Sequence, residues 1–283
     1  MRIAFVTLYG LGAHGGTTKV LCDLANGLRL KRHDLGIFYF EGKEPKIPYP
    51  LSADILRFNC CRTVRDKVFG QEFLAKLRGM FAFGRKNRRI VRNDFEAKYK
   101  GKAISRGLQS FNPDVVISFS QLTTYMLLAK IGTSIPVVTM LHSNPKSYFD
   151  RPEFSAFKQY LEKSAAIQVL MPEFVDVVNK YLNARKVSYI PNIVPQYDEI
   201  AELTSPRIIN VARVMSVKRQ HLLIEAFALI SEKYPEWNVE IWGQINKRYE
   251  TQLQTLILKY NLQERVFLKG PSSQIKEKLN KSS

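Results

Sequence analysis

The chain has 283 residues, 45% of them apolar, and its 43 Lys or Arg against 25 Asp or Glu give a net charge of +18. This length and apolar content can bury a sizeable core, which excludes a disordered tail and indicates one large or two ordinary domains. No apolar run approaches the roughly 18 residues that a membrane-spanning helix needs, so we expect a soluble or peripherally attached protein.

The N-terminus and the cysteines both favour a cytoplasmic location. Residues 1–11 combine one Arg with apolar residues as a secretory signal does, but they fit a strand–helix pattern that continues along the chain. Cys22, Cys60 and Cys61 are odd in number and lack a C-x-x-C pair, so they indicate neither a disulfide framework nor a zinc site. We expect a reducing compartment and no metal ion.

Positive charge is concentrated in one segment. Between Arg57 and Arg106, fifteen Lys or Arg accompany four acids. Apolar residues are interleaved with these charges at spacings near three and four, namely Val68, Phe69, Phe73, Leu74, Leu77, Met80, Phe81 and Phe83. We expect residues 57–108 to form a basic amphipathic insertion that contacts an anionic membrane surface.

Two other interpretations of this segment compete with membrane contact. The apolar stripe of a basic helix can instead pack on its own domain, with the charges in solvent. Nucleic acid binding would also suit the charge, but the sequence lacks a nucleic-acid-binding motif and zinc-ligand spacing. We therefore expect no nucleic acid partner.

Short β-rich runs alternate with helical segments along almost the whole chain, which predicts βαβ units and parallel sheets. The predicted strands are 2–7, 35–40, 114–119, 136–142, 166–171, 187–191, 207–212, 239–242 and 265–268. The predicted helices are 17–30, 153–163, 172–182, 219–234 and 249–260, followed by a polar helix at the end.

The segment 194–206 is polar and contains two prolines, so it predicts a linker between an N-terminal domain, 1–193, and a second domain, 207–283. We expect an α/β protein with two Rossmann-like lobes that face a cleft. Ligands usually bind such sheets at the carboxyl ends of their strands, so function should lie in the loops that follow strands.

The loop after the first predicted strand is rich in glycine. Residues 10–15 match G-x-G-x-x-G, and Glu41 follows the second strand as the ribose-binding acid of a dinucleotide site does. In such a site the helix begins near the second glycine, whereas the amphipathic period here begins only after Gly16. We therefore favour a longer loop whose last pair, Gly15 and Gly16, presents N–H groups to an anion; a simple turn is the alternative.

A second candidate site follows the first strand of the second domain. Arg213 and Lys218 lie five residues apart across a loop that leads into a helix. Two cations placed in this way can converge on a diphosphate and stabilise negative charge on a leaving group where no metal is present. Two solvated loop charges are the alternative.

These motifs, in their order and spacing, resemble family 4 (group 1) glycosyltransferases of the GT-B fold. The matching segments are 15–20, 113–116, 141–142, 190–192, the loop from Arg213 to Lys218 with 223–227, and 239–243. The resemblance covers nearly the whole chain, and the loop with the two cations is its most specific element.

The resemblance implies a hexosyltransferase that moves a sugar, with retention, from a UDP- or GDP-sugar and without an obligatory metal or other cofactor. Arg213 and Lys218 would neutralise the diphosphate, Gly15 and Gly16 would approach it from the acceptor lobe, and His142 would contact the donor sugar as the catalytic-site residue. Without the resemblance, His142 at a strand end would indicate only a loop cap.

Family members often build bacterial surface polysaccharides, such as lipopolysaccharide and capsule, on lipid carriers. The resemblance therefore implies a saccharide or lipid-linked acceptor and suits a peripheral position at the inner face of the cell membrane. Ser118, Ser120 and Asn192 are the candidates for the acceptor side of the cleft, although Pro-Asn is also ordinary turn chemistry.

The sequence also departs from the family pattern. The second lobe of these enzymes continues into a Glu-x7-Glu segment that holds the donor, and no such segment follows Gly270 here. We therefore expect an incomplete second lobe, as in a truncated product, with weak donor affinity and little activity unless another chain supplies the rest.

Two further function classes stay open at this stage. An NAD-type oxidoreductase would bind a nicotinamide cofactor through the first glycine loop. A non-catalytic binder of anionic lipid or another polyanion would show a salt-sensitive affinity that survives Arg213→Ala.

Overall fold

The computed structural model describes residues 1–12, 15–61, 85–151, 154–194, 201, 203–272 and 274–282. It divides into two compact units, Met1–Val194 and Pro195–Ser283, here called the N-terminal unit and the C-terminal unit. Both units are α/β structures built on a parallel sheet, as the alternating pattern of the sequence predicts.

Seven parallel strands form the sheet of the N-terminal unit, in the order β3-β2-β1-β4-β5-β6-β7. The strands are β1 (Arg2–Val6), β2 (Asp34–Tyr39), β3 (Leu56–Asn59), β4 (Val115–Ser118), β5 (Val137–Met140), β6 (Ala166–Val169) and β7 (Val187–Tyr189). The chain adds strands on one side of β1 and then returns to its other side with β4. The point between β1 and β4 is therefore a topological switch point.

The helices of this unit are α1 (Gly16–Leu30), α2 (Arg85–Phe111), α3 (Gln121–Tyr125), α4 (Lys146–Phe149), α5 (Lys158–Glu162) and α6 (Glu173–Tyr181). A π-helical turn, Met126–Ile131, continues α3, and a 3-10 turn, Phe154–Ala156, precedes α5. Helices lie on both faces of the sheet, because successive residues of β1 alternate between two core clusters. Ile3 and Phe5 pack with residues of α1, and Ala4 and Val6 pack with residues of α2 and α3.

Helix α2 directs its apolar residues into its own unit. Ala97, Ile104, Leu108 and Phe111 are buried in the cluster beneath it, at spacings that follow the helical repeat. Lys100, on the same helix, donates a hydrogen bond to the backbone oxygen of Leu8, 2.8 Å away. The part of the predicted insertion from Ala97 onward therefore packs inward. Residues 68–83, which support the membrane prediction, lie outside the described residues.

The C-terminal unit contains a sheet of three parallel strands in the described part of the chain, in the order β10-β9-β8. These strands are β8 (Arg207–Val211), β9 (Asn238–Trp242) and β10 (Val266–Gly270). The helices are α7 (Gln220–Ala228), α8 (Lys247–Lys259) and α9 (Ile275–Asn280), with a 3-10 turn at Ser216–Lys218. Apolar residues of α7 and α8 form one core with Val239 and Ile241 of β9.

The predicted strands are present, with ends that differ by at most two residues. Three features were not predicted: the strand β3, the full extent of α2, and the helical segment formed by α3 and its π-helical turn. The predicted helix 153–163 is divided between a 3-10 turn and α5, and the predicted helix 219–234 ends at Ala228. Among described helices of the chain, none is long and apolar enough to cross a membrane.

Replacement of Gly107 by Ala is expected to destabilise the N-terminal unit by about 1–3 kcal/mol, because it overpacks the contact between α2 and β2. The new Cβ would lie 2.6 Å from Cε1 of Phe38, a fully buried ring stacked on Phe58 at 4.5 Å. Urea unfolding followed by circular dichroism measures the change.

A second glycine of α2 provides the matched control. A Cβ at Gly101 would meet its nearest neighbours at 3.4 Å, which is ordinary contact, and helix propensity favours Ala over Gly by about 1 kcal/mol. Gly101→Ala should therefore be neutral or stabilising. Equal unfolding midpoints for the two variants would contradict this account of the packing.

Candidate functional site

A cavity of about 310 Å³ lies at the switch point of the N-terminal sheet. It is lined by residues that follow three strands: Tyr9 after β1, Ser120 after β4 and His142 after β5. Thr17 of α1 and Asn93 of α2 also line it. The volume is near the lower limit for small-molecule sites, which span about 300–1,000 Å³.

Aromatic rings dominate the lining of this cavity. Besides Tyr9, the rings are those of Phe119, Tyr148, Phe154 and Phe157. Arg151 is the one charged residue among the described residues of the lining, and its guanidinium lies 5.2 Å from the ring centre of Tyr148. The cavity therefore suits a ligand that has an apolar face together with polar or anionic groups.

His142 lies on the cavity wall with its ring stacked on Phe119, the two centres being 5.1 Å apart. Burial lowers the pKa of His142 to about 4, so the imidazole is neutral at pH 7. Both ring nitrogens are buried and have no hydrogen-bond partner among the residues that the structure describes. A neutral imidazole offers one donor and one acceptor, and leaving such buried groups unpaired costs about 1–3 kcal/mol each.

Ser118 and Ser120 belong to a chain of hydroxyl groups behind the cavity. The Oγ of Ser118 donates to the backbone oxygen of Ser120 at 3.0 Å, so Thr124 must donate its own proton to Ser118 at 2.8 Å. It follows that Thr139 donates to Thr124 and Ser164 to Thr139, each at 2.8 Å. Ser120 lines the cavity, whereas Ser118 is fully buried and supports the loop from behind.

The first half of the glycine loop is occupied by a side chain of the protein itself. The Oε2 atom of Glu41 accepts hydrogen bonds from the backbone N–H groups of Leu11 and Gly12, at 2.9 and 3.0 Å. A Cβ on Gly10 or Gly12 would lie 2.5 or 2.7 Å from the nearest atom of this carboxylate. These two glycines are therefore required because Glu41 takes the space beside them.

Gly15 and Gly16, at the end of the loop, are not crowded by the residues that the structure describes. A Cβ on either glycine would have no atom of those residues within 4 Å. Gly15 is the N-cap of α1 and provides no side-chain cap, and the first helical hydrogen bond is the one from Lys19 to Gly15 at 3.1 Å. The N–H groups of the first turn, which lack partners within a helix, therefore lie at an uncrowded helix N-terminus, an arrangement that favours anions.

Arg213 and Lys218 lie in the loop between β8 and α7, at the carboxyl edge of the C-terminal sheet. Both residues are exposed, and neither takes part in an ion pair between residues of the described ranges. The loop is anchored beneath Arg213, because the buried Gln220 donates from Nε2 to the backbone oxygen of Arg213 at 3.1 Å. The two cations thus extend from a fixed loop into solvent.

The loop after β9 supports the same segment. Ala212 donates to the backbone oxygen of Trp242 at 3.0 Å, and Val214 donates to that of Gln244 at 2.9 Å. Between these bonds Gly243 has a φ of 144°, and a Cβ there would lie 2.0 Å from the Ala212 oxygen. Only glycine fits this position. The two hydrogen bonds extend the parallel pairing of β8 and β9 beyond the ends of these strands.

The structure places the predicted site residues in two groups. His142, Ser120, Gly15 and Gly16 lie at the carboxyl edge of the N-terminal sheet, and the two cations lie at the corresponding edge of the C-terminal sheet. Asn192 is exposed in the segment that follows β7. The aromatic residues of the cavity and Arg151 were not predicted, although four of these residues, Tyr148, Arg151, Phe154 and Phe157, cluster in the sequence.

Two family models match this chain and together cover nearly all of it. The model described as Glycosyltransferase Family 4 matches residues 14–196, and the model described as Glycosyl transferases group 1 matches residues 197–283. The chain therefore belongs to the family 4 (group 1) glycosyltransferases. The match to the N-terminal part alone covers more than half of the chain.

One curated relative is an uncharacterized glycosyltransferase of Methanocaldococcus jannaschii, 23% identical over 217 residues. The match covers 66% of this chain and 53% of that protein, so the chain spans about half the length of this relative.

Solved structures of glycosyltransferases share the fold. A variant of S. aureus TarM, in complex with Fondaparinux, alpha-GlcNAc-glycerol and UDP, has a TM-score of 0.73 at 13% identity, over 99% of this chain and 79% of that one. Anabaena HepE, in complex with UDP-glucose, has a TM-score of 0.63 at 15% identity, over 97% of this chain and 71% of that one. The fold is therefore GT-B, as the resemblance implies.

The family match leaves the nicotinamide hypothesis unsupported, and the geometry gives a physical reason. The carboxylate of Glu41, which a dinucleotide site would use for the ribose, already accepts two hydrogen bonds from the glycine loop. Gly10 and Gly12, the first two glycines of the G-x-G-x-x-G match, leave room for the Glu41 carboxylate.

The unfolding free energy should depend on pH through His142. Its pKa is about 4 in the folded chain and about 6.5 when unfolded, so between these values the unfolded state binds more protons. The stability present above pH 6.5 is therefore lost as the pH falls toward 4, by at most about 3 kcal/mol. Denaturant unfolding at a series of pH values measures the slope.

The variant His142→Phe keeps a ring against Phe119 and removes the titrating group. Other groups titrate alike in both proteins, so the difference between their two pH profiles isolates His142. Parallel profiles would show that His142 is not held neutral by burial.

Proposed function

We propose that this protein transfers a hexosyl group from a UDP- or GDP-sugar to a saccharide or lipid-linked acceptor, with retention at the transferred carbon. The observation that carries the proposal is the anchored loop with two exposed cations, Arg213 and Lys218, at the carboxyl edge of the C-terminal sheet. Exposed cations on an anchored loop, with no acidic partner among the described residues, suit a diphosphate, which is the common part of UDP- and GDP-sugar donors.

The chemistry follows from where charge develops. The bond between the sugar carbon and the diphosphate oxygen breaks, and its electron pair stays on the diphosphate. The acceptor oxygen bonds to the same carbon on the face that the diphosphate leaves, which retains the configuration, and its proton passes to the departing diphosphate oxygen. Arg213 and Lys218 would stabilise the negative charge that grows on the leaving oxygen. We propose that these cations fulfil this role without a metal ion, and that Gly15 and Gly16 approach the same diphosphate with backbone N–H groups.

The cavity of the N-terminal unit supports a sugar-binding role. Both nitrogens of His142 are buried without partners among the described residues, and sugar hydroxyls can donate to one and accept from the other. We propose that His142 contacts the donor sugar in its neutral form. Tyr148 and Phe154 line the same cavity and can offer apolar ring faces to the acceptor, and Ser120 can offer a polar group. We propose Asn192, which is exposed in the segment after β7, as a further polar contact of the acceptor.

The setting of the reaction is part of the proposal. The solved structures of TarM and HepE are complexes with UDP and with UDP-glucose, which supports a uridine nucleotide for those proteins and favours it here. The resemblance to family 4 enzymes favours a role in bacterial surface polysaccharide synthesis. We propose that this takes place in the cytoplasm at the inner face of the cell membrane.

Arg213→Ala and Lys218→Ala should each weaken the binding of UDP or GDP. A hydrogen bond to a charged group contributes about 1.5–3 kcal/mol, so the Kd should rise by about 10-fold to 100-fold. Isothermal titration calorimetry with the full chain measures it, and unfolding midpoints verify that both variants stay folded.

Lys259→Ala is the matched control, since this lysine ends α8 and therefore lies at the opposite edge of the C-terminal sheet. It should leave nucleotide affinity within about 2-fold of the parent chain, since solvent screens distant surface charges. A salt-sensitive affinity for polyanions that survives Arg213→Ala would instead favour a non-catalytic polyanion binder.

Gly16→Ala should separate ligand binding from stability. No atom of the described part of the chain lies within 4 Å of the new Cβ, so the unfolding free energy should change by less than about 0.5 kcal/mol. The Kd for UDP or GDP should nevertheless rise several-fold, because the methyl group stands where the diphosphate approaches the helix. An unchanged Kd, measured by the same calorimetry, would remove Gly16 from the proposed site.

A further inference from the structure

The glycine loop has two halves that differ in what occupies them. Leu11 and Gly12 direct their N–H groups to the carboxylate of Glu41, whereas an added Cβ on Gly15 or Gly16 would meet none of the described residues. A carboxylate that accepts two neighbouring backbone N–H groups makes the kind of contact that a bound phosphate makes. The first half of the loop is thus already filled by an anion that belongs to the protein.

We propose that Glu41 is a positioning residue that acts as an internal anion. It holds the loop after β1 in one conformation and excludes an external anion from the N–H groups of Leu11 and Gly12. The diphosphate of the donor is thereby confined to the open N-terminus of α1, at Gly15 and Gly16. This inference rests on the proposed function for the identity of the ligand. The contact between Glu41 and the N–H groups of Leu11 and Gly12 does not depend on it.

Glu41 is well suited to this role because its own backbone is fixed. Its N–H donates to Oδ1 of Asn59 at 3.2 Å, and Nδ2 of Asn59 donates back to the Glu41 oxygen at 3.0 Å. Asn59 is the last residue of β3, so the edge strand of the sheet supports the loop through this pair. Because both backbone groups of Glu41 are held, its side chain keeps the glycine loop in register with the sheet.

The negative charge of the Glu41 carboxylate strengthens its contact with the glycine loop. A carboxylate bound to backbone N–H groups makes a charge-assisted hydrogen bond, which is stronger than one to a neutral amide. Glu41→Gln keeps an acceptor of the same shape and removes the charge, whereas Glu41→Ala removes both. The proposal therefore predicts a graded effect, with the Gln variant between the parent chain and the Ala variant.

Hydrogen exchange tests the contact in the full chain without any ligand. With selective ¹⁵N labelling of leucine and glycine, the amide exchange rates of Leu11 and Gly12 can be measured by NMR. They should rise by about 10-fold or more in Glu41→Ala and by less in Glu41→Gln. Equal rates in all three proteins would overturn the proposal, and circular dichroism verifies that the variants are folded.

Calorimetry with UDP and GDP tests the consequence for the ligand. Glu41→Ala should raise the Kd by about 5-fold to 20-fold, because a mobile loop no longer presents the N-terminus of α1 in one geometry. Glu162→Ala is the matched control: it removes a carboxylate of the same unit that also accepts a backbone N–H group, that of Asn183 at 3.0 Å, far from the glycine loop in the sequence. It should leave the Kd within about 2-fold.

The two measurements distinguish failure of this inference from failure of the proposed function. If the parent chain binds neither UDP nor GDP, the proposed donor is wrong, and hydrogen exchange alone decides whether Glu41 holds the loop. If the parent binds and Glu41→Ala binds equally well or more tightly, then Glu41 does not confine the diphosphate and the inference is overturned.

Discussion

Parallel pairing of the strands determines where chemistry can occur in this protein. In a parallel sheet the carboxyl ends of all strands lie at one edge, whereas antiparallel strands would send alternate loops to opposite edges. Tyr9, Ser120 and His142 therefore line one cavity although they are far apart in the chain. The same constraint brings the loops that follow β8 and β9 together, so that Gly243 supports the segment that carries Arg213.

Much of the fold could be predicted because buried parallel strands are short apolar runs that alternate with helical periods. The strand β3 escaped prediction because Leu56–Asn59 includes Arg57 and lies at the edge of the sheet, where only one side is paired. The extent of α2 escaped for another reason. The prediction followed the more apolar residues 68–83, while the weaker stripe that includes Ala97, Ile104 and Phe111 was already present in the sequence.

Site residues could be predicted where neighbouring residues in the sequence form a pattern typical of anion binding. A glycine pair before a helix and two cations after a strand are such patterns, and they identified Gly16 and Arg213. The roles of Glu41 and Gln220 were not predictable, because they depend on contacts with residues distant in the chain or on the other side of a loop. Tyr148 and Phe154 lie in two separate short helical turns without a common period, so their arrangement around the cavity required the structure.

The hydroxyl chain behind the cavity has a consequence of its own. Its four protons point in one sense, from Ser164 through Thr139 and Thr124 to Ser118 and on to the Ser120 carbonyl. Because that carbonyl cannot donate, no single hydroxyl can turn around without breaking the order of the others. The individual bond dipoles therefore add, and mutual polarisation places their positive end beneath the cavity wall. The interior of the fold thus gives this wall a permanent polarity that does not depend on any ionised group.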